Sequence, residues 1–475
     1  MSFFEAENLR AVCGGRWLEP PRPPVAVSGV GIDTRGDLRG KAFIAIRGER
    51  HDGHAYLPKA VGAGASLVVV EREPPAGRLS GGVGVLLVDD TRRALGRMAR
   101  AYRRTLTKTT VIAVTGSAGK TTTKGLIHAV LSVVLPGSAA PRSYNNEIGV
   151  PLTILGADPG DRYVVVEVGS STPGETDRLG RIVEPDIAVI TSIGRAHLAG
   201  LGSIEGVARE KAALLAHRRP SGTSVVTADA PSLRRHLPAD ETVVRFGKAA
   251  DADLRLTGRG RDESGWWFEV DGERRFPLGL PGEYNALNAL AAVAVARHLG
   301  VADREIDEPL ARSTALEMRM TTERIGETVV YNDAYNANPD AVIASLRAFA
   351  ELAADAPRRV IVLGDMLELG ETAAELHREI GRCVVDLDRR VPIDQVVLIG
   401  PLAAWAAEPI RRAWSAQRVT VLEKLTPSAA ATVADLLQPG DAVLLKGSRA
   451  VAVERVITAI RKKAMSHEEA ISHKP

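Results

Sequence analysis

The stretch Val111-Ile-Ala-Val-Thr-Gly-Ser-Ala-Gly-Lys-Thr-Thr-Thr-Lys124 decides the fold, because it predicts a β-strand that runs directly into a phosphate-binding turn. The apolar run 111–114 is typical of a strand. Gly116 and Gly119 allow backbone N–H groups to close around an anion. Two residues separate these glycines, a shorter spacing than in the general motif G-x-x-x-x-G-K-[ST]. The stretch therefore indicates a nucleoside triphosphate site.

Two side chains after the turn supply the chemistry that a triphosphate needs. Lys120 brings a positive charge to the β- and γ-phosphates, and Thr121 offers a hydroxyl to Mg²⁺. We predict a helix that opens at Thr122 and directs its N-terminal dipole at the same place. The predicted apolar face of this helix is Leu126, Ile127, Val130, Leu131 and Val134. The predicted nucleotide-binding residues are Thr115, Gly116, Ser117, Ala118, Gly119, Lys120, Thr121 and Thr122.

Length and charge limit the class of protein. At 475 residues the chain is too long for one hydrophobic core and predicts about three domains. Hydrophobic residues make up 45% and charged residues 25%, which is typical of a globular protein. The formal net charge of +3 is the difference between 61 basic and 58 acidic side chains. So small a surplus predicts neither a nucleic-acid partner nor a membrane surface.

The cysteines and the N-terminus predict a cytoplasmic protein. Cys13 and Cys383 lie far apart, without a Cys-x-x-Cys pair or a Cys/His cluster, so we expect neither a disulfide framework nor a zinc site. Glu5 and Glu7 stand where a signal peptide carries positive charge. No apolar run reaches the length of a membrane span, so we expect no membrane insertion.

The pattern of apolar runs predicts an α/β protein of three domains, at 1–108, 109–313 and 314–475. In the first domain we predict strands at 25–27, 42–46, 67–70 and 85–88 and helices at 56–65 and 91–105. In the second we predict strands at 111–114, 162–169 and 186–191, a hairpin at 265–272 and a helix at 289–299. In the third we predict strands at 329–331, 360–363, 396–399, 419–422 and 442–445 and a frayed polar tail from 463. Near-continuous apolar strands indicate parallel sheets that are buried on both faces.

Polar residues near the carboxyl ends of the central strands predict the edge of the site. Glu167 ends a run of valines, where a carboxylate is costly unless it meets a cation, so we predict that it binds Mg²⁺. His197 follows the next strand, although a lone loop histidine is more often structural. Asn285 and Asn288 either cap the helix that follows them or contact an adenine edge, and the sequence favours neither.

These motifs together resemble the Mur ligases, which form amide bonds with ATP in peptidoglycan synthesis. The resemblance runs over nearly the whole chain, and several independent long motifs occur in the right order. They are Asp33-Thr-Arg35, Gly40-Lys-Ala-Phe-Ile-Ala45, Asp52-Gly-His54, Thr115 to Thr122, Asn145 to Thr153, Ile193 to Leu198, Asp333 to Pro339, Leu363 to Gly370 and Lys446-Gly-Ser-Arg449. Taken alone, the polar clusters at 33–35 and 48–54 are typical of ordinary turns. Within the family the chain is most similar to the member that joins D-alanyl-D-alanine to UDP-N-acetylmuramoyl-tripeptide.

The resemblance implies a UDP-sugar-binding first domain, a central P-loop ATPase-like domain and a Rossmann-like third domain. It implies ATP and Mg²⁺ as cofactors, an acyl-phosphate intermediate, and these two small molecules as the partners of a monomer. The implied catalytic and metal-binding residues are Lys120, Thr121, Glu167, His197 and Lys211. Further implied nucleotide contacts are Asn288, Arg319 and Asp333. The implied substrate contacts are Asp33, Thr34, Arg35, Asp52, His54, Asn145, Asn146, Tyr335, Asn336 and Asn338.

Three positions depart from the family pattern. Ser170-Ser171 replaces small residues with an Asn, Tyr284 replaces a His, and Met318 replaces a Gly, which leaves the local substrate and adenine contacts open. Two alternatives are a non-catalytic P-loop nucleotide-binding protein and a sister ligase, such as a folylpolyglutamate synthase or another Mur step. The intact metal-binding residues argue against the first alternative. The stretches 33–35 and 335–339 argue against the second.

Lys211 occupies a position that the helical pattern reserves for the core. Behind the predicted N-cap Ser203, the apolar stripe consists of Ile204, Val207, Ala208, Lys211, Leu214 and Leu215. A lysine there can reach the surface, pair with an acid, or be held neutral by desolvation. Family members carry here a lysine that reacts with CO₂ to form a carbamate. The resemblance therefore predicts that Lys211 is carbamylated and binds a second Mg²⁺ beside His197.

Overall fold

Three separate sheets organise the chain, and each is built from one continuous stretch of sequence. The computed structural model describes residues 3–23, 26–75, 79, 82–238 and 242–472, and its sheets have five, nine and six strands. The predicted α/β class with three sheet regions is confirmed. The domain boundaries after residues 108 and 313 fall between the sheets and stay a prediction. Among the described residues, no helix is long and apolar enough to cross a membrane.

The first sheet is mostly parallel. Its strands are β1 (Arg16–Glu19), β2 (Val30–Gly31), β3 (Ala42–Ile44), β4 (Leu67–Val70) and β5 (Gly84–Leu87), in the order β1-β5-β4-β3-β2, with β1 antiparallel to β5. Its helices are α1 (Ala6–Cys13), α2 (Leu57–Gly62) and α3 (Thr91–Thr105). The bounds of α3 match the prediction because Asp90 caps it, accepting from the Arg93 N–H at 2.9 Å, and its apolar face is buried.

The prediction of a first strand at 25–27 is wrong where the structure describes it. Val25 lies outside the described residues, and Ala26 makes only an isolated bridge to Glu5. The strand forms instead at Val30–Gly31, where it pairs with β3. The antiparallel edge strand β1 has no clear alternation of apolar residues, so the sequence did not predict it.

The central sheet carries the phosphate loop. Its strands are β6 (Thr110–Thr115), β7 (Gly137–Ala139), β8 (Tyr163–Glu167), β9 (Ile187–Ile190), β10 (Thr223–Thr227), β11 (Val243–Gly247), β12 (Leu254–Asp262), β13 (Gly265–Val270) and β14 (Arg274–Leu278). The order is β14-β13-β12-β11-β10-β9-β6-β8-β7, parallel from β7 to β12 and antiparallel beyond. Every residue of β8 and β9 is buried, as expected of strands that are covered on both faces.

The helices of the central domain begin earlier than predicted. They are α4 (Lys120–Leu131), α5 (Gly149–Leu155), α6 (Glu175–Val183), α7 (Leu198–Leu201), α8 (Ile204–Ala212), α9 (Pro231–Arg234), α10 (Glu283–His298) and α11 (Asp303–Ala311). Val134 lies beyond the end of α4 and is 37% exposed, so its place in the apolar face is wrong. Gly282 is the N-cap of α10, so Asn285 and Asn288 lie inside the helix and neither caps it.

The third sheet is parallel except at one edge. Its strands are β15 (Thr321–Ile325), β16 (Thr328–Asn332), β17 (Arg358–Gly364), β18 (Gln395–Ile399), β19 (Val419–Leu422) and β20 (Asp441–Lys446), in the order β15-β16-β20-β17-β18-β19. Its helices are α12 (Pro339–Leu352), α13 (Ala373–Asp388), α14 (Ala407–Ala413), α15 (Pro427–Leu436) and α16 (Val456–Ser472).

The tail is helical rather than frayed, because α16 continues through Ser472. Lys463 Nζ donates to the Ala434 and Leu437 carbonyls at 2.9 and 2.8 Å, which satisfies acceptors at the end of α15. This contact ties the start of the tail to the domain.

Candidate active site

A cleft of about 570 Å³ opens between the second and third domains, beyond the carboxyl ends of the central strands. The predicted residues that line it are Ser117, Ala118, Gly119, Lys120, Thr121, Asn145, Asn146, Glu167, His197, Arg319, Tyr335, Asn336 and Asn338. Six other predicted residues of these two domains do not line the cleft: Thr115, Gly116, Thr122, Asn288, Asp333 and Lys211. The structure thus brings 13 of the 24 predicted site residues together in one cleft, from positions between Ser117 and Asn338.

The phosphate loop leaves β6 through two glycines in positive-φ conformations, Gly116 at +146° and Gly119 at +81°. Two of its N–H groups already have partners: Ser117 N donates to the Ser192 carbonyl and Ala118 N to the Ser192 hydroxyl, both at 2.9 Å. The first turn of α4, which begins at Lys120, offers further N–H groups to an anion.

Lys120 folds across this loop. Its Nζ donates to the Gly116 carbonyl at 2.6 Å. Burial lowers the pKa of Lys120 to about 8, although the charge of Glu167 opposes the shift. An anion in the cleft would offset the cost of charging this amine, because a nearby negative charge favours the ammonium form.

Glu167 ends β8 and is 1% exposed. Its Oε1 accepts from Asn145 Nδ2 at 2.8 Å and from the Thr121 hydroxyl at 3.2 Å. Its Oε2 lies 3.4 Å from Lys124 Nζ and accepts no hydrogen bond. A buried carboxylate oxygen without a hydrogen-bond donor is costly, so this site fits a bound cation.

Lys124 was not predicted as a site residue, although its spacing from Lys120 was visible. One helical turn separates the two lysines, so both face the same side of α4. Lys124 is 5% exposed and donates to the Ala140 carbonyl at 2.8 Å, and burial lowers its pKa. Lys124 therefore contacts both the chain directly after β7, through the Ala140 carbonyl, and the carboxylate of Glu167.

Arg319 reaches from the third domain into the phosphate loop. Its Nη2 donates to the Thr121 hydroxyl at 2.9 Å, and its guanidinium stacks 4.2 Å above the Tyr335 ring. Met318 has φ +56°, the region that favours glycine, which explains why the family pattern has Gly there. The hydrogen bond from Arg319 to Thr121 thus joins the third domain to the phosphate loop of the second domain.

Several predicted contacts of the third domain have protein partners. Asp333 is 9% exposed and pairs with Lys446 Nζ at 2.6 Å and with the Ser345 hydroxyl at 2.5 Å. Asn338 caps α12 by accepting from the Ala341 N–H at 2.9 Å. The structure thus gives these polar groups structural roles.

His197 lies on the loop after β9 with φ +57°. Burial lowers its pKa, and the charge of Glu368 opposes the shift. Its Nδ1 faces the Glu368 carboxylate, a partner from the third domain that sequence reasoning missed. Within the described part of the chain, no group of three or more His, Cys, Asp and Glu side chains is arranged to hold a metal ion.

Lys211 is fully buried, on the predicted stripe of α8. The hydroxyl of Ser203 caps the helix at 3.1 Å, as predicted, whereas Ile204 is 44% exposed and does not belong to the stripe. Lys211 Nζ donates to the Ser170 hydroxyl at 2.6 Å and to the Ser170 carbonyl at 3.0 Å. Burial lowers the pKa of Lys211 to about 7, and the charge of Lys120 adds to the shift. The unusual serine at 170 thus contacts this lysine.

Arg195, which sequence reasoning also missed, joins the two domains. Its Nη2 and Nε donate to Asp340 Oδ1 at 2.6 and 3.0 Å, and its Nη1 donates to Glu379 at 2.6 Å. The partners lie 145 and 184 residues away, so no local pattern could show them. Because the planar guanidinium donates several hydrogen bonds at once, it fixes the relative orientation of the two domains as well as their separation.

A second pocket of about 360 Å³ lies in the first domain. It is lined by Ile32, Asp33, Thr34, Arg35, Phe43, His51, Tyr56 and Lys59. Asp52 and His54 do not line it: the His54 ring pairs with Asp52 at 2.8 Å and accepts from the Glu71 N–H at 3.1 Å. The side chain of His54 is only 5% exposed, so the structure gives it a structural role.

A phosphate loop beside a charged cleft between two α/β domains defines a nucleotide-dependent enzyme of the P-loop class. Three family profiles match the chain: "Mur ligase family, catalytic domain" over residues 26–103, "Mur ligase middle domain" over 114–296 and "Mur ligase, glutamate ligase domain" over 318–449. The chain belongs to the Mur ligase family, and it is an ATP-dependent amide ligase. The alternative of a non-catalytic nucleotide-binding protein is therefore excluded.

Individual relatives agree along the full length. A UDP-N-acetylmuramoyl-tripeptide–D-alanyl-D-alanine ligase of Bacillus subtilis is 33% identical over 97% of this chain and 99% of its own. The protein of the same name from Mycobacterium tuberculosis is 33% identical over 91% of each chain. Among solved structures, MurF from Acinetobacter baumannii has TM-score 0.84 at 29% identity, covering 97% of this chain and 99% of its own. MurF from Thermotoga maritima in complex with ADP has TM-score 0.78 at 28% identity, covering 92% and 98%.

Proposed function

We propose that this ligase joins D-alanyl-D-alanine to UDP-N-acetylmuramoyl-tripeptide in peptidoglycan synthesis. The observation that carries the proposal is the full-length similarity to relatives with that name, one of which aligns over 97% of this chain. The phosphate loop in the cleft between two domains supports the use of ATP. We further infer that the protein works as a cytoplasmic monomer without membrane insertion, and that its domains divide after residues 108 and 313.

The reaction requires activation, because an amine does not displace oxide from a carboxylate at neutral pH. In the proposed route the tripeptide carboxylate attacks the γ-phosphorus of ATP, and ADP leaves. The dipeptide amine then attacks the acyl carbon, inorganic phosphate leaves, and the nitrogen loses a proton. Both steps bring negative groups together, so positioning and charge neutralisation account for most of the catalysis.

The chain's own cations perform that neutralisation. Lys120 meets the transferring phosphate, and the first turn of α4 supplies N–H donors. Arg319, which stacks on Tyr335, adds charge from the third domain. Asn288 supports the loop from beneath rather than from the cleft. Because these groups come from two domains, we infer that the docked arrangement is the active one.

Mg²⁺ fits two places beside the loop. When bound, the ion neutralises phosphate oxygens. Thr121 and Glu167 would hold the first ion, and the hydrogen-bond-free Oε2 of Glu167 supports this assignment. His197 would hold the second ion with a carbamylated Lys211, whose pKa of about 7 keeps a neutral amine available for CO₂.

The remaining assignments concern the substrates. The pocket at Asp33, Thr34 and Arg35 would take the uridine nucleotide, whose pyrophosphate suits Arg35 and the nearby Lys59. The site where the new amide bond forms would lie near five polar residues of the cleft, Asn145, Asn146, Tyr335, Asn336 and Asn338. Asp52, His54 and Asp333 have protein partners here, and their proposed ligand contacts are carried by the resemblance alone.

Phosphate release measures the proposed activity directly. With ATP, Mg²⁺ and UDP-N-acetylmuramoyl-tripeptide, release should require D-alanyl-D-alanine and should match amide formation one to one. A sister ligase would instead release phosphate with glutamate or another single amino acid. Absence of release with the dipeptide, in protein that binds ATP, would refute the proposed substrates.

A further inference from the structure

The loop that carries His197 docks on one segment of the third domain, residues 368–370. His197 Nδ1 faces the Glu368 carboxylate, and the Ala199 N–H donates to the Glu368 carbonyl at 2.9 Å. A Cβ on Gly370 would lie 3.3 Å from the Ala199 Cα, so the two backbones are in close contact. Leu198 packs against the core of the third domain. Glu368 therefore holds this loop through both its side chain and its backbone.

Both members of the pair have unfavourable backbone conformations. His197 has φ +57° and Glu368 has φ +63°, the left-handed region that residues with a Cβ rarely adopt. Such conformations persist where the surroundings determine them, and they cluster at functional sites. Here the left-handed turns direct the two side chains at each other across the domain boundary.

The chemistry of the contact fixes the histidine tautomer. A carboxylate only accepts hydrogen bonds, so the proton of a neutral His197 ring must be on Nδ1. The lone pair is then on Nε2, and His197 lines the cleft. A histidine that donates one ring N–H to a carboxylate is oriented as a ligand through its other nitrogen.

We propose that Glu368 is a positioning residue that sets the tautomer and orientation of His197. Because Glu368 belongs to the third domain, His197 is aligned only when the second and third domains are docked. Docking of the third domain thereby orients His197 of the central domain, and it also places Arg319 at the phosphate loop. The inference rests on the proposed function, in which His197 would hold the second Mg²⁺ ion.

The solvent exposure of the His197–Glu368 pair allows an effect on the orientation of His197 to be distinguished from an effect on the stability of the fold. The side chains of His197 and Glu368 are 22% and 57% exposed. An ion pair this open to solvent contributes little to folding. Loss of the Glu368 carboxylate should therefore leave the melting temperature unchanged while it alters the ring of His197.

Kinetics form the first part of the test. Glu368→Ala should lower kcat by about 10- to 100-fold and raise the Mg²⁺ concentration for half-activity, with the KM of ATP unchanged. Glu368→Gln, whose amide oxygen still accepts from Nδ1, should recover most of the loss. Glu371→Gln is the matched control, because Glu371 is an exposed acid directly after this segment and lies outside the cleft. Full activity in Glu368→Ala would overturn the proposal.

Nitrogen NMR of ¹⁵N-histidine-labelled, metal-free protein forms the second part, and it needs no substrate. The wild type should show His197 protonated at Nδ1, assigned by its loss in His197→Gln. Glu368→Ala should show the mixture of tautomers that a free imidazole has. Arg195→Ala, which weakens docking and leaves Glu368 in place, should shift the ring signals in the same direction.

These outcomes distinguish the two levels of inference. An Nε2-protonated His197 in the wild type, or an unchanged ring signal in Glu368→Ala, overturns the positioning role whatever the substrates are. An unchanged signal in Arg195→Ala overturns the link to docking. If the NMR results are as expected but the wild type makes no amide from the named substrates, the proposed function fails and the orientation of His197 by Glu368 stands.

Discussion

A Cβ on Gly119 would lie 2.2 Å from Asn288 Oδ1, so the phosphate loop and helix α10 are in direct contact. Asn288 Oδ1 also accepts from the Thr123 hydroxyl at 3.2 Å, one turn into α4. The amide therefore supports the loop from the side opposite the cleft. Asn288 Nδ2 in turn donates to Asn285 Oδ1 at 3.4 Å, so Asn285 orients the amide that supports the loop.

Gly119→Ala should abolish nucleotide binding, because the loop must move away from Asn288 to make room. It also places a side chain at φ +81°, which costs about 1–3 kcal/mol. Gly272→Ala is the matched control: Gly272 has φ +74° in the β13–β14 turn, and a Cβ there meets nothing within 4 Å. Both variants should melt earlier than the wild type. Only Gly119→Ala should lose ADP binding in calorimetry, and retained binding would contradict the tight contact.

Lys120→Ala should lower the rate of amide formation by roughly 10²-fold or more, since it removes the positive charge at the transferring phosphate. The melting temperature should rise or stay constant, because burial makes the charged amine unfavourable in the free protein. Lys424→Ala, at an exposed position outside the cleft, is the control. Rates are followed by phosphate release, and a near-normal rate in Lys120→Ala would refute the phosphate-loop assignment.

Activity should fall as the pH drops below about 7, because the Lys211 amine must be neutral to react with CO₂. The pKa of this amine lies below its ordinary value of 10.5, at about 7, so about half of it is neutral at pH 7. Below that pH the ammonium form dominates and the carbamate is lost. Added bicarbonate should restore activity at pH 6.5, and intact-protein mass spectrometry should detect the added CO₂ after trapping.

Lys211→Ala should be nearly inactive and should be rescued in part by acetate. A short carboxylate can replace the oxygens of the carbamate, whereas methylammonium, which replaces the bare amine, should give no rescue. Rescue by methylammonium alone would show that Lys211 acts as a cation. Full activity without any additive would show that the reaction does not need Lys211, and either outcome would refute the carbamate.

Arg35→Ala should weaken binding of UDP to the intact protein by roughly 10- to 100-fold, the range expected for losing a charge-assisted hydrogen bond. Arg39→Ala is a close control. Arg35 pairs with Asp33 at 2.7 Å and Arg39 with Asp37 at 2.9 Å, with exposures of 82% and 83%, but Arg39 lies outside the pocket. Calorimetry that shows equal UDP binding by both variants would disprove the uridine site.

Local patterns in the sequence were sufficient for several parts of the fold. The Gly-rich turn before Lys120 predicted the phosphate loop, and the pattern of apolar runs predicted the bounds of α3. Ser203 and the apolar stripe assigned Lys211 to a position that the helical pattern reserves for the core. In each case the signal comes from residues within one or two helical turns, where spacing alone determines which side chains share a face.

The tertiary structure alone decided the contacts between domains. Glu368 lies 171 residues from His197, and Arg195 lies 145 residues from Asp340, so chain periodicity carries no information about either pair. Edge strands such as Val30–Gly31 were equally invisible, because two residues show no alternation. The sequence by itself predicted positions for phosphate, Mg²⁺ and an unusual lysine, because those signals are local. Only the packing of the third domain on the second decided which charges face them, because burial and ion pairing depend on residues that meet only in the folded chain.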